Sequence, residues 1–87
     1  MLVKYSIELR PAARRSLKKL EETVRQRVAD AISELALEPR PDGVKKLQGA
    51  EDIYRIRVGS YRILYQIIDR ELIILVVDVG HRGEIYR

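Results

Sequence analysis

The sequence predicts a two-layer α+β protein with an N-terminal strand, a helical hairpin and a three-stranded antiparallel meander. Three patterns support this prediction. Alternating or continuous apolar segments typical of strands lie at 3–9 and again between 53 and 77. Residues 11–38 carry apolar side chains at helical spacing. Short turn signals at 59–60 and 69–70 join the later strands, which favours antiparallel neighbours, and amphipathic helices would cover one face of their sheet.

Length and composition limit the possible classes. The 87 residues predict one domain over 1–87, and 46% hydrophobic with 34% charged residues indicates an ordered, soluble protein. With no cysteine and one histidine there is no Cys/His metal cluster, so we expect no metal or other cofactor and a reducing, cytoplasmic location. The early charges are unlike a signal peptide, and no apolar run approaches the roughly 18 residues that span a membrane. The net charge of +4 favours acidic partners such as nucleic acid.

The first strand and helix follow from local pattern. Residues 3–9 alternate like a half-buried strand, and Pro11 suits the first turn of a helix predicted over about 11–20. The outer side of this helix carries a basic stripe, which is either a solvated surface or a binding surface: Arg14, Arg15, Lys18 and Lys19.

A second helix is predicted from Glu22 or Thr23 to a point before Pro39, because Thr23 and Gln26 have capping-box spacing and apolar residues recur behind them. The few residues between the two helices favour an antiparallel helical hairpin.

The segment after the helices begins with a loop. Two prolines and an Asp-Gly pair predict a loop at 38–43, and residues 44–49 then approach the meander in extended form. Lys45 and Lys46 in this approach either contact an anion or are solvated.

The meander begins with a β-hairpin at 53–66. Gly59 followed by Ser60 suits a type II′ turn, whose register places Arg57 directly opposite Arg62. Because side chains alternate, Arg55 lies on the same face. Like charges directly opposed cost up to about 1 kcal/mol, so the pair favours an anion supplied from outside, unless the side chains simply splay into solvent.

The last strand is predicted at 72–77, where a continuous apolar run indicates a strand that is covered on both faces or central in its sheet. A two-residue turn at 69–70 would place Arg62 opposite Val77, and the chain after Val79 would then emerge beside the arginines.

The C-terminal residues add further polar groups to that corner. Arg82 and Tyr86 would join the three meander arginines around one concavity, a suitable way to hold a phosphodiester. His81 either points into this site or is an ordinary loop residue.

The motifs YRIR at 54–57, YRILY at 61–65 and VGHRGEIY at 79–86, in this order of elements, resemble the RelE/ParE toxin superfamily of type II toxin–antitoxin modules. The resemblance covers essentially the whole chain. It implies a RelE-like, ribosome-dependent endoribonuclease that cleaves mRNA in the ribosomal A site. It also implies a cognate antitoxin, contact with operator DNA only through the antitoxin complex, and no membrane partner.

Matched positions imply the roles of individual residues. The catalytic set would be Arg57, Arg62, Arg82 and Tyr86; the substrate-binding set would be Arg55, Lys45, Lys46 and His81. Arg55 and Arg57 stand where the well-known RelE enzyme has lysines, and a guanidinium can stabilise charge but cannot act as a general base. Two alternatives stay open: a ParE-like gyrase inhibitor and a non-catalytic nucleic-acid-binding module.

Overall fold

The computed structural model describes residues 4–47 and 52–81, and it confirms the predicted α+β class. The elements in chain order are β1 (Ser6–Leu9), α1 (Pro11–Lys18), α2 (Glu22–Leu35), β2 (Lys45–Lys46), β3 (Ile53–Val58), β4 (Tyr61–Ile68), a 3₁₀ turn (Asp69–Glu71) and β5 (Ile73–His81). They form one sheet of order β1-β5-β4-β3-β2. β1 is parallel to β5 and the other neighbours are antiparallel. The meander is therefore confirmed, and the predicted extended approach is a fifth strand paired with β3.

The two helices begin close to the predicted positions, but the predicted cap of the second is wrong. Glu21, rather than Thr23, caps α2, because its side chain accepts a hydrogen bond of 2.9 Å from the Thr23 backbone N–H. Gln26 instead donates to Asp30 one turn later. Three residues separate the helices, yet their main contacts are with the sheet, α1 on β5 and α2 on β3. Among the described residues, no helix combines the length and apolar character needed to cross a membrane.

One face of the sheet, here called the helix face, packs against both helices. Its side chains join those of the helices in the core, whose fully or nearly buried members are Ala13, Val28, Ile32, Leu35, Ile56, Ile63, Tyr65, Ile67, Ile74, Val76 and Val79. Strand alternation places Arg55, Arg57 and Arg62 on the opposite face, here called the arginine face. The prediction that these three arginines share a face is confirmed.

The hairpin between β3 and β4 has the predicted turn and register. Gly59 adopts φ +60° while Ser60 keeps a negative φ, the combination that a type II′ turn requires. Val58 pairs with Tyr61, and Arg57 pairs with Arg62. The two-residue loop makes Arg57 and Arg62 a non-hydrogen-bonded pair, in which opposed side chains approach most closely.

The predicted register between β4 and β5 is wrong by three residues, since Arg62 pairs with Gly80 instead of Val77. Two of the three residues come from the turn at 69–72, which is longer than predicted and is closed by Leu72 in the left-handed conformation at φ +56°. The third comes from a β-bulge at Val77, where the register between the strands shifts by one residue.

The bulge is held by the Asp78 carboxylate. Its Oδ1 accepts hydrogen bonds of 2.8 Å from the Ser16 hydroxyl of α1 and from the backbone N–H of Val79. Beyond the bulge Val79 lies in the core, and His81 is the last residue of β5 rather than part of a loop. The bulge therefore decides which face each residue at the end of β5 occupies.

The end of the sheet that lies away from the β3–β4 hairpin turn is joined to the loop after α2 by side-chain hydrogen bonds. Asp69 accepts from the Tyr5 hydroxyl at 2.6 Å and from Arg40 at 3.1 Å. Both hydrogen bonds lower the pKa of Asp69, and the bond from Tyr5 has the larger effect. The buried Tyr65 hydroxyl donates to the Pro39 carbonyl at 2.7 Å, and burial raises the pKa of this phenol.

Candidate nucleic-acid interface

The centre of the candidate site is the pair formed by Arg57 and Arg62 at the hairpin end of the arginine face. Arg57 is exposed and Arg62 is half-buried. Directly opposed side chains in such a pair have Cβ atoms about 4.5–5.5 Å apart. Because the two side chains start this close together, their like charges repel, and both guanidiniums can reach the oxygens of one phosphate. Gly80, which pairs with Arg62 on the other side, adds no side chain that would fill the space next to it.

The other predicted binding residues of β2 and β3 are divided between the faces. Arg55 shares the arginine face but is only 9% exposed. Lys45 pairs with Arg55, so it lies on this face too, and it is exposed. Lys46 points to the helix face and its ammonium lies 4.0 Å from the carboxylate of Asp52. Of the two lysines, Lys45 is therefore the one placed to extend the arginine cluster.

The predicted C-terminal residues have different outcomes. His81 lies on the helix face, opposite Tyr61 in β4, and thus on the other side of the sheet from Arg62. Its ring meets the Tyr61 ring edge to face, with centroids 5.1 Å apart and planes at 88°. Arg82 and Tyr86 lie outside the described residues. β5 runs to His81 beside the hairpin turn, so the described part of this strand ends at the predicted corner.

Arg27 is a further cation at the hairpin end of the sheet, and the sequence gave no reason to select it. It lies on α2, is exposed, and its Nη2 is 3.6 Å from the position that a Cβ at Gly59 would occupy. Its guanidinium therefore lies against the hairpin turn from the helix side. An arginine on the polar side of a helix is common, and only the packing of α2 on β3 shows which turn of the helix reaches the hairpin.

A groove of about 720 Å³ runs along the edge of β3 beyond the point where β2 stops pairing. Its floor includes Leu35, Ile56 and Val58, and its rims carry charges of both signs: Glu34, Glu38, Asp42, Arg40, Lys45, Arg55 and Arg57. Gly43, at φ +84°, turns the chain away from β3 and leaves this edge open.

The donor set of the site favours phosphate over other ligands. Guanidiniums form paired, charge-assisted hydrogen bonds to phosphate oxygens and keep their protons throughout. Within 4–47 and 52–81, no three His, Cys, Asp or Glu side chains lie close enough together to hold a metal ion. The described residues can thus bind and neutralise a phosphodiester, and the basic stripe of α1 is exposed as a further cationic surface.

Comparison with known proteins gives consistent matches over nearly the whole chain. Residues 7–86 match the family model described as the ParE toxin of the type II toxin–antitoxin system parDE. The mRNA interferase toxin RelE of Escherichia coli (strain K12) is 34% identical over 86 residues, covering 94% of this chain and 90% of that protein.

Solved structures agree with the sequence matches. The intact E. coli RelBE toxin–antitoxin complex contains a chain that matches with a TM-score of 0.80 and 32% identity, over 92% of this chain and 99% of the other. A chain of the archaeal RelE–RelB complex from Pyrococcus horikoshii OT3 matches with a TM-score of 0.81 and 27% identity, over 93% and 98%.

Proposed function

Because this chain belongs to the ParE toxin family of type II toxin–antitoxin systems, we propose that it is a RelE-like toxin and an mRNA interferase. In this proposal it is an endoribonuclease that enters the ribosomal A site, cuts mRNA there and stops translation in the cytoplasm. The observation that carries the proposal is the directly opposed pair of Arg57 and Arg62, two cations held together on the arginine face beside the end of β5.

The proposed reaction is attack of the substrate's own 2′-hydroxyl on the neighbouring phosphate. The 2′-O–P bond forms and the P–O5′ bond breaks, which leaves a 2′,3′-cyclic phosphate and a 5′-hydroxyl. Arg57 and Arg62 would neutralise the charge that develops on the phosphate oxygens, an effect whose loss costs on the order of 100-fold or more in rate. Tyr86, as the phenolate, would accept the proton of the 2′-hydroxyl. Arg82 would stabilise the negative charge on the leaving 5′-oxygen, which would take its proton from His81 or from water.

The position of His81 supports water over His81 as the source of that proton. Its ring lies against Tyr61 on the helix face, whereas the proposed phosphate site is on the arginine face. The proposed site then consists of guanidiniums and one phenol. Such groups bind and polarise well but exchange protons poorly at neutral pH, which agrees with a nuclease that depends on the ribosome to position its substrate.

We also propose a cognate antitoxin as the partner that controls this toxin, since two related toxins named above were solved in complex with RelB. The arginine face offers a suitable surface: its basic end adjoins a more apolar region that includes the half-buried Ile73 and Leu75 and the nearly buried Leu64. An amphipathic acidic segment would cover both parts and block the phosphate site. Contact with operator DNA would come only through that complex.

The test uses ribosomes programmed with a defined mRNA, with 5′ ends mapped by primer extension. Wild-type toxin should cut within the A-site codon, and omission of ribosomes should abolish the cuts. Arg57→Gln and Arg62→Gln should each slow cleavage by about 100-fold, since each loses one phosphate donor. The matched control is Arg70→Gln, which removes the same charge from the exposed turn at the opposite end of the sheet.

Intact mRNA with continued translation would refute the nuclease. Gyrase-dependent DNA cleavage by the wild-type protein would then support the ParE-like alternative. Nucleic-acid binding without either effect would support a non-catalytic module.

A further inference from the structure

The hairpin end presents functional groups on both faces of the sheet. Arg57 of β3 and Arg62 of β4 occupy the arginine face, while Tyr61, next to Arg62 in β4, and its partner His81 in β5 occupy the helix face. Tyr61 is half-buried against the core and His81 is exposed, so part of each ring borders solvent. The aromatic pair adjoins the proposed phosphate site but belongs to a different surface.

The edge-to-face geometry gives this pair two ring surfaces at right angles. The centroids are 5.1 Å apart and the ring planes meet at 88°. A nucleobase can stack on an exposed aromatic face whatever its sequence, and such stacking is the usual way in which proteins hold single-stranded nucleic acid. The pair exists because the bulge at Val77 moves His81 onto the helix face.

Arg27 supplies a cation beside the rings. Its guanidinium packs against Gly59, and Gly59 is two residues from Tyr61 across the hairpin turn, so the two residues are at most about 7 Å apart. The side chain is exposed and comes from α2, so it lies on the same side of the sheet as the rings. A base on the rings would place its own phosphate within reach of this guanidinium.

We propose that Tyr61, His81 and Arg27 form a second subsite for single-stranded RNA, in which one ring stacks on a nucleobase, the other ring contacts the edge of that base, and Arg27 contacts the adjoining phosphate. The RNA would cross the hairpin end with a neighbouring phosphate on Arg57 and Arg62. This proposal rests on the proposed function, and it adds binding residues that act in substrate affinity rather than at the scissile bond.

The main experiment measures single-turnover cleavage on programmed ribosomes at increasing toxin concentration. Tyr61→Ile keeps the apolar bulk and the strand propensity but removes the ring. It should raise the half-saturating concentration by about 5- to 100-fold, the range that loss of one base stack produces, and lower the maximal rate far less. Tyr61→Phe keeps the ring and should restore most of the affinity. Arg57→Gln should show the opposite pattern, with its main loss in the maximal rate.

Two further pairs of variants, at His81 and at Arg27, make the test independent of any packing defect at Tyr61. His81→Ala should weaken binding and His81→Phe should restore it, at an exposed position where truncation leaves no cavity. Arg27→Gln should reduce the slope of log affinity against log salt by about 1, and Arg27→Lys should preserve it. Arg70→Gln serves again as the control, and thermal unfolding of each variant checks the fold.

The outcomes separate the two proposals. Equal half-saturating concentrations for Tyr61→Ile and Tyr61→Phe, and for His81→Ala and His81→Phe, would overturn the subsite while leaving the nuclease intact. If wild-type toxin does not cut mRNA, the proposed function fails, and binding of a single-stranded RNA hexanucleotide with 2′-O-methyl groups decides the subsite alone. In that assay too, no difference within the matched pairs overturns it.

Discussion

Replacement of Asp78 by alanine should destabilise the protein more than the loss of one hydrogen bond would. One carboxylate oxygen accepts from the Ser16 hydroxyl and from the Val79 N–H, both at 2.8 Å in a partly buried site. Hydrogen bonds to a charged group contribute about 1.5–3 kcal/mol, and the variant also leaves the Val79 N–H without its acceptor. We expect a loss of about 2–3 kcal/mol in the free energy of unfolding, which for a domain of this size lowers Tm by roughly 10–20 °C.

Urea and thermal unfolding of a double-mutant cycle would measure this contribution. Ser16→Ala removes one of the two hydrogen bonds and should cost about 1 kcal/mol, and Asp78→Asn, which retains an acceptor oxygen, should cost a similar amount. If Asp78→Ala is no more destabilising than Ser16→Ala, the carboxylate does not hold the bulge and the reasoning is refuted.

Asp78→Ala should also weaken mRNA cleavage under conditions where the variant is still folded. A slip of one residue at the bulge would move Val79 out of the core and His81 away from Tyr61, because side chains alternate between the faces. Cleavage at the wild-type rate by folded Asp78→Ala would show that the register at the end of β5 survives without the carboxylate.

Three further predictions concern charge and turn geometry. Arg57→Thr should raise the free energy of unfolding by a few tenths of a kcal/mol, because it relieves a like-charge pair, and abolish mRNA cleavage; a urea midpoint below that of wild type would contradict this. The hydrogen bond from Tyr5 lowers the pKa of Asp69. The ionised Asp69 should therefore stabilise the fold at pH values above the ordinary pKa of an aspartate, and this stabilisation should be lost as the pH falls through the lowered pKa. Tm should therefore fall less steeply between pH 5 and 2 in Asp69→Asn, and parallel curves would count against the interaction. Gly59→Ala should cost about 1–2 kcal/mol in urea unfolding, because φ is +60° there, and Ser60→Ala is the matched control.

The first part of the meander could be predicted because its signals are local. Gly59 selects the turn, the turn selects the register, and alternation then assigns every residue of β3 and β4 to a face. Lys45–Lys46 gave no comparable signal, because two lysines have no apolar alternation and β2 is defined by its partner strand. The β4–β5 register could not be predicted: Leu72 adopts a left-handed conformation that leucine rarely favours, and Asp78 finds its partner in α1, 62 residues away.

The contrast between local signals and long-range contacts also explains which residues of the candidate site could be predicted. The shared face of Arg55, Arg57 and Arg62 follows from the hairpin alone. The position of His81 depends on the bulge, and the approach of Arg27 to Gly59 depends on how α2 packs on β3, so neither can be read from neighbouring residues. A sequence pattern can therefore indicate the opposed arginine pair, but the aromatic pair on the other face is a product of tertiary structure.

Two departures from an ideal sheet meet at the hairpin end: opposed like charges in Arg57 and Arg62, and the bulge beside Asp78. Each costs stability that a regular sheet would retain, and such departures concentrate where a protein must act rather than merely fold. They also depend on each other, because the bulge places Gly80 instead of Val79 next to Arg62 and so keeps a branched side chain out of the proposed phosphate site. A bound phosphodiester would turn the repulsion between the arginines into two attractive contacts. Relief of this repulsion would add to the affinity of the proposed site for an anion, which suits a nuclease that binds RNA through guanidiniums.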